Sequence, residues 1–448
     1  MEYGFDKLNM LDKIKERIQS RYVKNFLTIG LGTLIAQSIP VLAAPLLSRL
    51  FSPDDFGVFT NFTVLMAFLI VLNTGKYELA IILPKEHKDA INIVALCFFI
   101  LVGTTIIFTL LSALLVKPIS LFVGDGSSWN WIVFAPLGAF FANLYLIINE
   151  WYIRNDNYKG LSKNRIGNTL GITGISIFFG FFKQNFGLIY GQICGQIFSI
   201  SWALKRIFLR DKPLLKYISK RKIGYFAKRH INFAKYIIPG QLLNTASALI
   251  AISLITFKFG FFYAGLIGMV DRVFGIPSSI VGNAVNDVFK LQITERYREK
   301  GDCLRIYKKV VLMLLLVAVP PFVLLFFISP AFFPFVFGAE WVLSGKYAQV
   351  FCCMFLLNFV SMPTRWVFMV AEKQKIEFIW QCLFIILSVV PIIVGILYYD
   401  IFTTLILWSA GKSIAYIIYI LMTYTIAKNT LNIPYMKTKT NTNENETN

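Results

Sequence analysis

The chain has 448 residues, of which 56% are hydrophobic and only 15% charged, and its mean hydropathy is +0.64. A soluble chain of this length would carry about 25% charged residues in two or three domains, whereas here apolar runs approach the roughly 20 residues needed to cross a bilayer. The formal net charge of +20 does not indicate nucleic acid: the polar segments are too short to build a basic domain, and basic residues flank membrane spans on the cytoplasmic side.

In chain order, residues 1–25 read as a polar cytoplasmic segment with no cleavage site of a signal peptide, so the first span is expected to remain uncleaved. Apolar windows predict spans at roughly 26–50, 57–83, 91–116, 129–153, 165–182 and 186–204, an N-terminal six-helix bundle over 26–204. A basic cytoplasmic linker follows over 205–236. Its Lys220-Arg221-Lys222 and Lys228-Arg229 clusters are either a solvated topological signal or a contact for anionic lipid. A second bundle over 237–427 has spans at roughly 237–257, 262–289, 310–329, 347–370, 378–398 and 402–427. The tail, 428–448, is polar and low in complexity, and is expected to be disordered and cytoplasmic.

This map places about 35 of the 44 Lys and Arg residues on the cytoplasmic side, and only Lys117, Lys183, Lys258 and Lys346 outside. Such a bias fixes the N and C termini as cytoplasmic. Trp129 and Trp131 at one end of the fourth span, with Trp151 and Tyr152 at the other, fit an interfacial aromatic belt. The six cysteines lie mostly in apolar runs with no CxxC pair, and His87 and His230 are the only histidines. Neither a catalytic centre, nor a metal site, nor a cofactor is expected.

Five cations fall inside spans: Arg49, Lys76, Arg272, Arg365 and Lys412. A charge near the bilayer centre costs about 2.5–3.5 kcal/mol on insertion scales, so each must face a cavity, a partner or the interface. Arg272 lies about ten residues into the eighth span, and helical periodicity puts Ser279 and Asn283 within about 20° of it and Asn286 within about 40°. A polar face beside Gly275, Pro277 and Gly282 reads as a hydrated cavity wall; the plainer reading pairs Arg272 with Asp271. Lys412 follows Trp408 by one turn and precedes Tyr416 and Tyr419, an aromatic setting that suits a sugar or phosphate, or simply cation–π packing. Arg365, seven residues after Asn358, is near enough to the cytoplasmic end to snorkel. Lys76 has Glu78 as a neighbour to neutralise it, and Arg49 reads as an interfacial anchor. The first span also carries Gln37, Ser38, Pro40 and Pro45, which suits a bent, moving gate helix. Glu78, Glu150, Asp271 and Asp287 are candidates for coupling to H+ or Na+, each weighed against a structural role.

Three stretches carry a resemblance. They are Leu50-Phe51-Ser52-Pro53-Asp54-Asp55-Phe56-Gly57-Val58-Phe59, Lys76-Tyr77-Glu78-Leu79-Ala80-Ile81-Ile82-Leu83-Pro84, and Ala264-Gly265-Leu266-Ile267-Gly268 with Pro277-Ser278-Ser279-Ile280. Together with the twelve-span layout, over roughly 20–430, the chain resembles polysaccharide flippases of the Wzx type. These belong to the superfamily of multidrug and toxic compound extrusion (MATE) carriers and lipid II flippases. The resemblance implies an all-α polytopic fold, two six-helix bundles forming a V around a central cavity. It implies transfer of an undecaprenyl-diphosphate-linked glycan across the bacterial inner membrane by alternating access, for O-antigen, lipopolysaccharide or capsule synthesis, without bond chemistry. Partners would be membrane lipids and the polymerase and chain-length proteins of such a pathway. The family's cavity cations would map by location onto Arg49, Lys76, Arg272, Arg365 and Lys412, with Asn283, Ser279, Trp408 and Tyr419 as polar and aromatic lining. A multidrug or cation exporter of the same fold is the alternative, although it would favour acidic cavity residues. A glycan polymerase needs a long outside loop, which is absent here. The Gly-x-x-x-Asp-Arg loop of the major facilitator carriers is replaced by Pro84-Lys85-Glu86-His87-Lys88-Asp89-Ala90.

Overall fold

The computed structural model describes residues 28–123, 130–300, 303–371 and 373–429; the segment 1–25, Trp129 and the tail beyond 429 lie outside the described residues. Among the described residues all regular structure is helical, with twelve helices of 20 residues or more. The first six are α1 (Thr28–Leu50), α2 (Pro53–Asn73), α3 (His87–Val123), α4 (Asn130–Arg154), α5 (Tyr158–Phe181) and α6 (Gly187–Asp211). After the short α7 (Lys220–Arg229) come α8 (Ile231–Phe259), α9 (Phe261–Lys300), α10 (Leu304–Phe337), α11 (Val342–Ser361), the five-residue α12 (Trp366–Val370), α13 (Gln374–Tyr398) and α14 (Ile401–Asn429). Nine of the long helices are apolar enough to cross a membrane by composition alone. The three that are not, α5, α6 and α9, bear charged ends or interior charges and are held among apolar neighbours. The chain is a multi-pass membrane protein.

Three boundaries differ from the sequence-based map. The second span ends at Asn73 rather than running to 83: Gly75 and Lys76 both take a φ of 61°, and a short 3-10 turn, Tyr77–Ala80, follows. Glycine adopts this left-handed conformation freely and so ends the helix, while Lys76 is held in it by its surroundings. The tenth span breaks after Ser361 into a 3-10 turn, Pro363–Arg365, before α12, because Pro363 has no N–H to continue the ladder. The linker, expected as a basic connector, is structured: α6 runs on to Asp211, a 3-10 turn spans Lys212–Tyr217, and α7 lies across the base of the N-terminal half. Phe226 of α7 is buried against Tyr77, Ile91 and Trp151, leaving its lysines and arginines outward. The Tyr77 hydroxyl donates to the Ala227 carbonyl at 3.0 Å.

The junction between α1 and α2 follows directly from sequence. The Ser52 hydroxyl accepts from the Asp55 amide at 3.2 Å, the Asp55 carboxylate accepts from the Ser52 amide at 3.0 Å, and Pro53 occupies the first helical position. This capping box satisfies amides that would otherwise be orphaned. It starts α2, which belongs to the N-terminal half, directly against α8 and α9 of the C-terminal half.

That contact is intimate. A Cβ on Gly57 would stand 1.9 Å from the Phe261 carbonyl oxygen, one on Gly265 1.8 Å from that of Pro53, and one on Gly268 2.1 Å from the Thr60 hydroxyl. Only glycine permits two helix backbones to approach so closely. Asn61 of α2 donates to Thr256 of α8 at 2.8 Å, Ser48 of α1 to the Phe337 carbonyl at 3.0 Å, and Trp341 back to the Ser48 carbonyl at 3.3 Å. The halves are therefore sealed at the end where α2 and α9 begin.

Candidate functional site

Just beyond the glycine seam the halves part around a cavity of about 260 Å³. Phe59, Thr60, Thr63 and Val64 of α2 form one wall. Ala248 and Ile252 of α8 with Ile267, Gly268, Asp271 and Arg272 of α9 form the next, and Phe351, Met354 and Phe355 of α11 with Trp408 and Lys412 of α14 complete it. Both halves of the chain contribute, so relative movement of the bundles must change its shape.

Arg272 and Lys412 are both half-exposed to this space although they lie well inside long helices, and Asp271 is exposed. The cavity is thus wettable. Arg272 reaches across the seam, its guanidinium 5.0 Å from the ring centres of both Phe56 and Phe59 on α2. Lys412 lies 4.4 Å over the Trp408 ring, whose indole donates to the Ser388 hydroxyl at 3.2 Å and meets Phe351 edge-on at 5.5 Å. Among the described residues no ion pair within 4.0 Å joins either cation to Asp271. Two cations and one carboxylate leave the lining net positive. Aromatic faces position the cations without neutralising them, so their N–H groups stay available to an anion.

The other sequence-predicted cations are elsewhere. Lys76 is buried in the break after α2, with its ammonium 3.6 Å from Glu78, which also accepts from the Thr74 hydroxyl at 2.5 Å. Arg365 is exposed beside the break after α11 and lies 3.4 Å from Glu377. Arg49 is exposed in the last turn of α1. None of the three lines the cavity. The hydropathy map counted all three within spans, but Lys76 and Arg365 sit at helix breaks and Arg49 at the end of α1. Tyr419 is buried in a separate aromatic cluster, with ring centres 4.3 Å from Trp380 and 5.3 Å from Phe368. Trp408 does face the cavity. Glu150 is half-buried on α4, outside the cavity lining. The side chains of Ser279, Asn283, Asn286 and Asp287 lie outside those described.

Sequence reasoning missed the α2 wall. Thr60 and Thr63 line the cavity, and Asn61, 1% exposed, holds α2 to α8 one step away. A threonine hydroxyl in an apolar helix donates to a carbonyl of its own helix, as Thr60 does to Phe56 and Thr63 to Thr60, and so carries little insertion penalty to draw notice. The available signal was their position immediately after the Phe56-Gly57 motif, which the eighth-span glycines complement.

The sequence profile of a family described as "polysaccharide biosynthesis protein" matches residues 46–345. Among solved structures, an inward-facing multidrug resistance MATE family transporter of the MOP superfamily aligns with a TM-score of 0.70 at 13% identity, covering 90% of this chain and 99% of its own. The lipid II flippase MurJ, in an inward closed conformation, aligns at 0.69 and 13% identity, covering 91% of each chain. A MOP superfamily transporter from Pyrococcus furiosus, described as having a binding pocket of reverse polarity, aligns at 0.63 and 14% identity, covering 91% of this chain and 96% of its own. No curated protein is significantly similar in sequence. At these identities the likeness establishes a shared fold.

Proposed function

The chain belongs to the polysaccharide biosynthesis protein family, and on that premise we propose that it is a flippase for polyprenyl-diphosphate-linked oligosaccharides in the bacterial inner membrane. One observation carries the reading: Arg272 of α9 and Lys412 of α14 face a single cavity at the seam with the N-terminal half, with Asp271 the one carboxylate of its lining, so that the lining is net positive. An undecaprenyl diphosphate presents two negative charges and a hydroxyl-rich glycan, neither of which enters hydrocarbon unaided. The two cations replace part of the water lost by the diphosphate, while Thr60, Thr63 and the Trp408 ring suit sugar hydroxyls and sugar faces.

A cavity of about 260 Å³ is below the roughly 300–1,000 Å³ typical of drug-sized ligand sites. It therefore serves as an anchor for the headgroup, and the remainder of the glycan enters as the bundles separate. On the orientation that the basic-residue distribution favours, the sealed end is the outer one, and transport would proceed by rocking that breaks the glycine seam. Asp271, the carboxylate of the lining, is the group we assign to a coupling proton or sodium ion.

The test is reconstitution into vesicles with a fluorescent prenyl-diphosphate glycan, comparing the parent with Arg272→Ala and Lys412→Ala. Each variant should slow translocation by about tenfold or more, as expected for losing a charge-assisted contact. Unchanged transport in both variants would remove the site, and no transport by the parent would remove the function. Tight binding of a lipophilic cation by the parent would favour a multidrug exporter instead.

A further inference from the structure

A second concavity lies in the N-terminal half and shares no lining residue with the cavity at the seam. It is an apolar groove of about 690 Å³ between α3 and α6, floored by α4 and closed at one end by the 3-10 turn Lys212–Tyr217 and Ile218. Its α3 wall repeats at helical spacing from Ile91 through Val94 and Ala95 to Phe98 and Phe99. The eight helical steps from Ile91 to Phe99 rise about 12 Å, close to the roughly 15 Å depth of one leaflet's hydrocarbon. Phe99 is 62% and Leu204 41% exposed.

Directly adjoining it, and sharing Trp151, Ile207 and Asp211, is a smaller pocket of about 170 Å³ lined by Lys159, Lys163, Arg206 and Arg210. Four cations there face one acid. That acid is already engaged: the Trp151 indole donates to Asp211 at 2.9 Å and Arg210 lies 3.8 Å away. Lys205 and Lys212 stand on the rim of the groove itself. A one-leaflet apolar groove ending in an unneutralised basic pocket has the two-part chemistry of a phospholipid with an anionic headgroup.

We propose that this surface is a binding site for an anionic glycerophospholipid of the cytoplasmic leaflet, its acyl chain along α3 and its phosphate among Lys159, Lys163 and Arg206. The site is independent of the transport cavity. Hydrocarbon fills any such groove in a bilayer, so selectivity comes from the basic pocket, where each cation near a membrane surface contributes on the order of 1 kcal/mol. The lipid would also tie together α3, α4, α6 and the linker that leads to the C-terminal half.

The experiment uses the full chain in nanodiscs of phosphatidylcholine mixed with phosphatidylglycerol, extracted into mild detergent and weighed by native mass spectrometry. The parent should retain phosphatidylglycerol over phosphatidylcholine. Lys163→Ala with Arg206→Ala should weaken retention about thirtyfold, and Leu204→Trp, which fills the groove from an exposed position, should lower it for both lipids. Lys220→Ala with Arg221→Ala, on α7 outside the site, should leave it unchanged. Equal retention of the two lipids by the parent, parent-like retention by the Lys163/Arg206 variant, or preferential displacement of phosphatidylglycerol by a polyprenyl phosphate would overturn the proposal.

Discussion

Replacing Gly265 by valine should open the sealed end of the molecule. In the described state a Cβ at this position would stand 1.8 Å from the Pro53 carbonyl oxygen, where real Cβ atoms essentially never come under 3.0 Å. The partner is backbone at the first turn of a helix fixed by a capping box, so no side chain can swing aside to relieve the clash. Helices α2 and α9 must separate by about 1.2 Å for a methyl group, and by more for the branched side chain. Overpacking of this kind costs about 1–3 kcal/mol. Because the strain exists only while the halves are sealed, it acts as a differential penalty on that state and shifts the open-to-sealed ratio by roughly 5- to 150-fold. Spin labels at Lys183→Cys and Lys346→Cys, both exposed and in opposite halves, would report the change by pulsed electron paramagnetic resonance in a background without native cysteines. The expected result is growth of a longer-distance population in the Gly265→Val protein. A distance distribution identical to the parent's, in a protein that is equally stable, would show that the close contact does not hold the state and refute the reasoning.

Two further outcomes follow from other parts of the structure. Lys76→Ala leaves the Glu78 carboxylate, 3% exposed, without its cation; a loss of about 3–5 kcal/mol is expected, visible as a lower melting temperature in detergent, whereas Lys76→Met combined with Glu78→Gln should recover most of it. Asp400, in the turn between α13 and α14, is held below the usual carboxylate range by its hydrogen bonds with Thr403 and the Phe402 amide. Its folded state binds its proton less readily than the unfolded one, so the stabilisation is present above the ordinary carboxylate range and is lost as pH falls through the folded value. Hydrogen-exchange protection at the start of α14, taken relative to the intrinsic exchange rate at each pH, should therefore fall on acidification in the parent and lose that pH dependence in Asp400→Ala.

What could be read from the sequence divides along physical lines. The long helices were legible because insertion into hydrocarbon imposes a long apolar period on the sequence. Arg272 was legible for the same reason: a guanidinium ten residues into a span must have a destination. The residues the map misplaced, Lys76 and Arg365, sit at breaks after Asn73 and Ser361. A hydropathy window averages across a three-residue turn and cannot see it. Thr60 and Thr63 were silent because their cost of burial is small and their importance comes only from what α9 brings opposite them.

The glycines connect these two levels. Gly57 lies in a motif beginning the first half and Gly265 and Gly268 in one beginning the second, and each looked like a loose pattern in its own span. In the structure they are the two faces of one contact, and Arg272 follows Gly268 by a single turn, reaching back over the seam to Phe56 and Phe59. The cation that would hold a diphosphate is therefore also a fastener of the sealed end. On the reading that the cavity takes a diphosphate, a bound anion would compete with the aromatic rings for the position of the guanidinium and so weaken the attachment of α9 to α2. Since a ligand can shift a conformational equilibrium only by its differential affinity for the two states, such competition would supply that difference: the side chain proposed to take the headgroup would give up part of its hold on α2 in doing so.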